Sequence, residues 1–167
     1  MVNKLKKSNS KGFTIIEVMI VLAIAALILL IVLLAVPALQ RNSRNTAIKN
    51  DASAVTAGIS EFNSNNDGAS PTSGGSTYTT GTLDLNNAAG TKATVKLQSS
   101  DTVTLRAAGT VSSITPAAGE LTITFGTKCP TSVSGASTGA LTANTRSTTV
   151  VYATETSSAL AAKCIDS

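Results

Sequence analysis

The chain has 167 residues, with 13 Lys and Arg against 9 Asp and Glu, and it contains no His or Trp. Without histidine, a Ser-His-Asp or Cys-His catalytic arrangement is impossible, and we expect a protein that is not an enzyme and uses no metal or cofactor. The formal charge of +4 belongs to four lysines ahead of Phe13. The rest of the chain is neutral and would release few counterions from a nucleic acid, which argues against DNA binding.

The first 12 residues, MVNKLKKSNSKG, are short, polar and basic. An ordinary secretory signal places its cleavage site after the apolar stretch. Here the attractive processing point, Gly12, comes before that stretch, so the apolar residues would stay on the mature protein. Because the lysines remain in the cytoplasm, we expect insertion with the N-terminus inside.

Residues 13–36 form an apolar helix that is long enough to cross a bilayer. Glu17 interrupts this segment four residues after Phe13, and a carboxylate in that setting is costly, which makes it a functional candidate. An alternative is an interfacial carboxylate that reaches headgroup water or caps the N-terminus of its own helix.

Residues 37–62 continue the helix in an amphipathic form. An apolar stripe with spacings of 4, 3, 4 and 3 is suited to packing on a sheet, whereas the charged Arg41, Arg44, Lys49 and Asp51 are predicted to fall off it. The stripe consists of Ile48, Ala52, Val55, Ile59 and Phe62. Pro37 lacks an N–H and should bend the helix. Loop-forming residues from Asn63 onward predict that the helix ends near Phe62.

Residues 63–167 are predicted to form a β-rich head. Alternating patterns indicate strands at 77–85, 93–98, 102–107, 120–126 and 147–154. An antiparallel sheet with one face on the helix satisfies these patterns and gives an α+β fold class.

The chain has two cysteines, Cys129 and Cys164. In an exported chain they indicate a disulfide that closes a loop of about 36 residues, with an entropic stabilisation of about 4 kcal/mol. The alternative is a pair of unpaired, buried thiols.

The basic leader, Gly12 and the following residues FTIIEVMIVLAIAAL closely resemble the N-terminal segment of type IV pilins and their relatives. The resemblance implies the type IV pilin fold, in which a long N-terminal α-helix with a membrane-spanning first half packs on a small antiparallel β-sheet with a C-terminal disulfide loop. It also implies that a prepilin peptidase cuts between Gly12 and Phe13 and methylates the Phe13 amine. Glu17 would then pair with the Phe13 amine of a neighbouring subunit.

The implied function is that of a structural subunit of a type IV pilus, supporting adhesion, twitching motility or DNA uptake. Its partners would be other pilin subunits in a helical homopolymer, the prepilin peptidase, an inner-membrane platform protein and the assembly ATPase machinery. The subunit would reside in the cytoplasmic membrane before assembly and in an extracellular filament afterwards. Two alternatives are a pseudopilin of a type II secretion-like system and a membrane-anchored adhesin ectodomain that does not polymerise.

The resemblance has two departures in the apolar segment. Family members often have a helix-breaking Gly near Ala26 and a Pro near Leu34, and this chain has neither. Its proline comes later, at Pro37, so we expect any weak point of the helix just before that residue. The pseudopilins typically lack a C-terminal disulfide, so Cys129 and Cys164 favour a true pilin.

Overall fold

The computed structural model describes residues 12–87, 90, 92–98, 102–109 and 112–167. Apart from Gly12, the predicted leader lies outside these residues. The chain divides into two compact units, Met1–Leu39 and Gln40–Ser167, and the single long helix contributes to both. We call the second unit the head.

Helix α1 covers Ile15–Asn65, 51 residues, and it is assigned without a break at Pro37. The bend at Pro37 therefore stays a prediction. The helix ends slightly later than the predicted boundary at Phe62. Asp67 and Gly68 adopt positive φ angles of 52° and 80°, and the Gly68 N–H donates to the Asn63 carbonyl at 2.8 Å. This left-handed turn satisfies a carbonyl at the helix end and stops the helix.

The apolar stripe of α1 forms the centre of the head, as predicted. All five stripe residues are buried and pack against apolar side chains from both sheets. The prediction was wrong for Asp51, which is only 2% exposed. Three residues after Ile48 and four before Val55, Asp51 lies on the flank of the stripe. Its Oδ1 accepts the Gln98 N–H at 2.8 Å, so this carboxylate ties α1 to the end of a strand.

The first sheet has three antiparallel strands, β1 (Thr77–Thr79), β2 (Thr82–Asn86) and β3 (Lys92–Lys96). The predicted single strand at 77–85 is a hairpin, since Thr79 pairs with Thr82 and the turn between them contains Gly81 at φ 76°. Glycine adopts this left-handed conformation without steric cost. Alternate residues of β2 and β3 then face α1.

The second sheet has the order β4 (Thr102–Arg106), β5 (Glu120–Lys128), β6 (Thr142–Glu155) and β7 (Leu160–Asp166). The pairs β5–β6 and β6–β7 are antiparallel, whereas β4 runs parallel to β5. The parallel pair departs from the predicted antiparallel sheet. The connection between β4 and β5 has about a dozen residues, which is long enough to return the chain to the end of the sheet where β4 begins. The α+β class itself is confirmed.

The second sheet is covered on both faces. Leu121 and Ile123 belong to the core with α1, whereas Thr122, Thr124 and Val151 on the opposite face are also buried. A small second cluster covers that face and consists of Ile114, Leu141, Val151 and Cys164. Cys164 is bonded to Cys129, with 5.9 Å between their Cα atoms. The predicted disulfide is therefore present, and the alternative of two unpaired thiols is wrong.

We predict that Gly58→Ala lowers the melting temperature of the head, although alanine forms helices better than glycine by about 1 kcal/mol. A Cβ atom at position 58 would overlap Cγ2 of Val95 on β3. Both residues are buried, and the β-branched Val95 has little rotamer freedom with which to move away. Thermal unfolding followed by circular dichroism measures the effect.

Ser53→Ala is the matched control for Gly58→Ala, because Ser53 lies on the exposed face of the same helix. It should leave the melting temperature unchanged or raise it. Adding Val95→Ala to Gly58→Ala should cost less than the sum of the two single changes, since the second change removes the overlap. A Gly58→Ala variant at least as stable as the parent would contradict the packing argument.

Candidate functional site

The amino end of α1 is closed by a reciprocal arrangement of Thr14 and Glu17. The N–H and the Oγ1 hydroxyl of Thr14 donate to Oε2 of Glu17 at 2.9 and 2.7 Å, and the Glu17 N–H donates to Thr14 Oγ1 at 3.3 Å. Because the helix begins at Ile15, Thr14 is the N-cap and Glu17 is the third helical residue. This is a capping box, and it satisfies donors that a helix terminus otherwise leaves free.

The predicted cleavage point lies immediately ahead of this cap. Gly12 and Phe13 precede the helix, and both are exposed. Among the described residues, none beyond its chain neighbours has an atom within 4 Å of the position that a Cβ of Gly12 would occupy. Phe13 is 88% exposed. Phe13 and Glu17 line one open groove of about 440 Å³ together with Val18, Val21 and Leu22. The two predicted assembly residues therefore share one side of the helix start.

The helix that follows the cap exposes an almost uninterrupted apolar surface. Its large side chains from Phe13 to Leu39 are between 39% and 88% exposed. In the described residues, α1 is the one helix with a stretch long and apolar enough to cross a membrane. A surface of this size on a soluble monomer marks a membrane or protein interface. It suits the predicted role of anchor and assembly element.

The structure brings Glu17 to Thr14, a residue that the sequence interpretation did not single out. Within the described residues, Glu17 accepts hydrogen bonds only from Thr14. The alternative role kept open for Glu17, capping its own helix, is thus present in the single chain. The signal was readable, because Thr-x-x-Glu ahead of an apolar run is the sequence signature of a capping box. Pairing of Glu17 with a neighbour's amine stays a prediction.

Residues 7–33 match the family model of the prokaryotic N-terminal methylation motif. The chain has the N-terminal segment of a type IV pilin-like prepilin. Neither the search of curated proteins nor that of solved structures found a match. The likeness to type IV pilins therefore rests on the motif, and the α+β fold with its C-terminal disulfide is consistent with it.

The prepilin signal has direct consequences for processing and location. It implies cleavage by a prepilin peptidase and assembly into pilus-like filaments with other pilins. The apolar helix and the signal suit anchoring in the membrane before assembly. The motif belongs to structural rather than catalytic proteins. In the described part of the chain, no three His, Cys, Asp or Glu side chains are grouped so that they could hold a metal ion.

We predict that Thr14→Val loosens the first turn of α1. The change removes the hydroxyl that bonds Glu17 in both directions and keeps the backbone N–H and the side-chain shape. The Val18 N–H donates to the Thr14 carbonyl at 3.3 Å, so its hydrogen exchange reports on that turn. Exchange of this amide in the micelle-bound chain should become several-fold faster.

Thr46→Val is the control for the capping box, since Thr46 Oγ1 donates to the Asn42 carbonyl on an exposed face of α1 and caps nothing. It should leave exchange at Val18 unchanged. Equal protection of Val18 in the parent and in Thr14→Val would mean that the hydroxyl contributes nothing to the helix start.

Proposed function

We propose that the protein is the structural subunit of a type IV pilus, which polymerises through the apolar half of α1 after a leader ending at Gly12 is removed. The observation that carries this proposal is the exposed apolar helix with a capped carboxylate at its entrance, inside a methylation motif. The capping box gives Glu17 a use in any helix, whereas a simple membrane anchor does not require the methylation motif. A subunit that must dock beside other subunits has a use for both the carboxylate and the motif.

Cleavage after Gly12 would place a new amine, the site of methylation, at Phe13, one residue before the N-cap. The Glu17 carboxylate already accepts two hydrogen bonds from Thr14 through Oε2. A carboxylate has about four acceptor positions, so it can keep the capping box and still accept a neighbour's ammonium group. Pairing of these two charges away from water would favour the assembled state and fix the register between subunits.

The part of α1 in the head offers a second surface for neighbouring helices. Opposite the buried stripe lies an exposed stripe of small, uncharged residues with spacings of 4, 3, 4, 3 and 4, made of Thr46, Asn50, Ser53, Ala57, Ser60 and Ser64. The hydroxyls of Thr46, Ser60 and Ser64 donate to carbonyls one turn earlier in the same helix, at 2.9 to 3.0 Å. A neighbour could cover this stripe without leaving these groups unpaired.

The strand edges of the head support assembly through the helix rather than through sheet pairing. β3, at one edge of the first sheet, carries Lys92 and Lys96, and β7, at an edge of the second, carries Lys163. β1 has only three residues. Lysines and short edge strands are the common means by which proteins prevent edge-to-edge pairing.

The finer assignments belong to the same proposal. The disulfide between Cys129 and Cys164 favours a pilin over the pseudopilin of a secretion system. The Gly12–Phe13 junction and Glu17 within the methylation motif disfavour a non-polymerising adhesin. As a pilin, the protein would leave the cytoplasmic membrane for an extracellular filament, handled by a platform protein and assembly ATPases. Adhesion, twitching motility and DNA uptake are the activities that such a filament would support.

We predict that Glu17→Ala reduces filament yield at least tenfold while the amount of membrane-inserted protein stays unchanged. The variant loses the charge partner of the Phe13 amine and keeps the apolar helix. Filaments sheared from cells and subunits in membrane fractions are compared by immunoblot. Glu61→Ala, which removes an exposed carboxylate elsewhere on α1, is the control and should assemble normally. Normal filament yield from Glu17→Ala would refute the pairing.

We also predict that Ala57→Arg blocks assembly without unfolding the head, because a long charged side chain in the exposed stripe prevents close approach of another helix. Ala143→Arg makes the same substitution at an exposed position of β6 and should leave filaments intact. Filament yield and the melting temperature of the head are measured for both variants. Equal yields from the two variants would show that the stripe is not an assembly surface.

A further inference from the structure

The helix in the head is attached to the sheets in two different ways. From Ile48 to Phe62 it is held by buried side chains of the apolar stripe. Between Gln40 and Ala47 no side chain of α1 is buried. These first two turns are instead connected to the last residue of β6 and the residue after it by hydrogen bonds and an ion pair.

The polar attachment joins Arg41, Arg44 and Asn45 of α1 to Glu155 and Thr156, and we call these five residues the clamp. Arg44 donates to both carboxylate oxygens of Glu155, at 2.9 Å from Nε and 2.6 Å from Nη2. Asn45 Nδ2 donates to the Glu155 carbonyl at 2.8 Å, and the Glu155 N–H donates to Asn45 Oδ1 at 2.7 Å. Arg41 Nη1 donates to the Thr156 carbonyl at 3.2 Å.

The charges of the clamp act on each other. The hydrogen bond from Arg44 holds the pKa of the Glu155 carboxyl below its usual value, and the charges of Arg44 and Arg41 act in the same direction. The pair remains accessible to water, since the side chains of Arg44 and Glu155 are 57% and 22% exposed. A bidentate pair of this kind orients its partners well, yet in water it contributes only modestly to stability.

An open cavity borders the clamp, and three of the clamp residues are among those that line it. It has a volume of about 280 Å³ and lies between the start of the head's helix and strand β6, with Ala47, Ala118, Gly119 and Ala153 among its lining residues. Small side chains on these walls reach little of the facing surface, so few apolar contacts hold the helix there. The helix is therefore weakly packed where the clamp holds it and tightly packed from Ile48 onward.

We propose that the clamp acts as a latch. When its hydrogen bonds and ion pair break, the first two turns of the head's helix separate from the sheet, while the apolar core from Ile48 onward stays closed. Local opening of this kind is expected where buried apolar contacts are few and the hydrogen bonds are exposed to solvent. The chain divides into its two compact units immediately before this segment, at Leu39 and Gln40. The number of helical turns that stay attached to the sheet therefore depends on the clamp.

The Glu155 N–H reports on the latch directly, because its acceptor is the Asn45 side chain. We would measure its hydrogen exchange by NMR in the full chain in micelles and compare the parent with Arg44→Met. This change removes the ion pair and leaves Asn45 in place. Exchange at Glu155 should rise two- to fivefold, the range expected for one exposed ion pair. Exchange at Ile59, in the apolar stripe, should not change.

Lys49→Met is the matched control, since Lys49 is an exposed cation on the same helix outside the clamp. Glu155→Gln is a second test, because it removes the charge and keeps the backbone groups that bond Asn45. Unchanged exchange at residue 155 in both clamp variants would overturn the proposal, as would an equal rise at Ile59. The second result would mean that the helix opens from the sheet as one unit.

Discussion

The main constraint on this structure is the unfavourable exposure to water of the apolar side chains in the first part of α1. The large apolar side chains from Phe13 to Leu39 are exposed. Such a surface is stable only in lipid or against other apolar helices. The chain therefore needs two environments in succession if it is to leave the membrane, and its first helical residues must suit both. The capping box of Thr14 and Glu17 meets this requirement, because the carboxylate has hydrogen-bond donors within its own subunit.

The first part of α1 is exposed and apolar, whereas the second part is packed in the head. These different surroundings explain the difference in composition between the two parts. Before Leu39 nearly all faces are apolar, as expected of a helix surrounded by hydrocarbon or other helices. After Ile48 one face is buried in the head, and the opposite face carries small side chains whose hydroxyls are satisfied within the helix. Between these parts lie the clamp and its cavity. The turns of α1 that the clamp holds by polar contacts therefore follow directly, along the chain, after the apolar segment that ends at Leu39.

Much of the fold could be predicted because it follows from local patterns. The apolar stripe from Ile48 to Phe62 has a helical period, and the alternation in β5 has a period of two, so both elements were recognised. The presence of two cysteines in an exported chain pointed to the disulfide. The hairpin at Gly81 was missed, since Thr-rich residues continue on both sides of the turn. Strand β7 was missed because its alanines carry little β-propensity, and it is fixed by pairing with β6.

The parts that could not be predicted involve partners far apart in sequence. Asp51 was predicted to fall off the apolar stripe, and the hydrogen bond from the Gln98 N–H helps to explain why a carboxylate is buried there. The clamp joins residues more than a hundred positions apart, so no local pattern indicates it. At the N-terminus the opposite holds. Glu17 was recognised from its position in the apolar segment. Its partner Thr14 was missed, although the Thr-x-x-Glu signature of a capping box was present in the local sequence.

The measurement that tests the central claim most directly is the intact mass of protein sheared from the cell surface. Processing, methylation and surface assembly together predict a chain that begins at Phe13, carries one additional methyl group and retains the Cys129–Cys164 disulfide. A chain that still contains the residues before Phe13, found only in the membrane fraction, would contradict this account. It would leave a membrane-anchored head that does not polymerise.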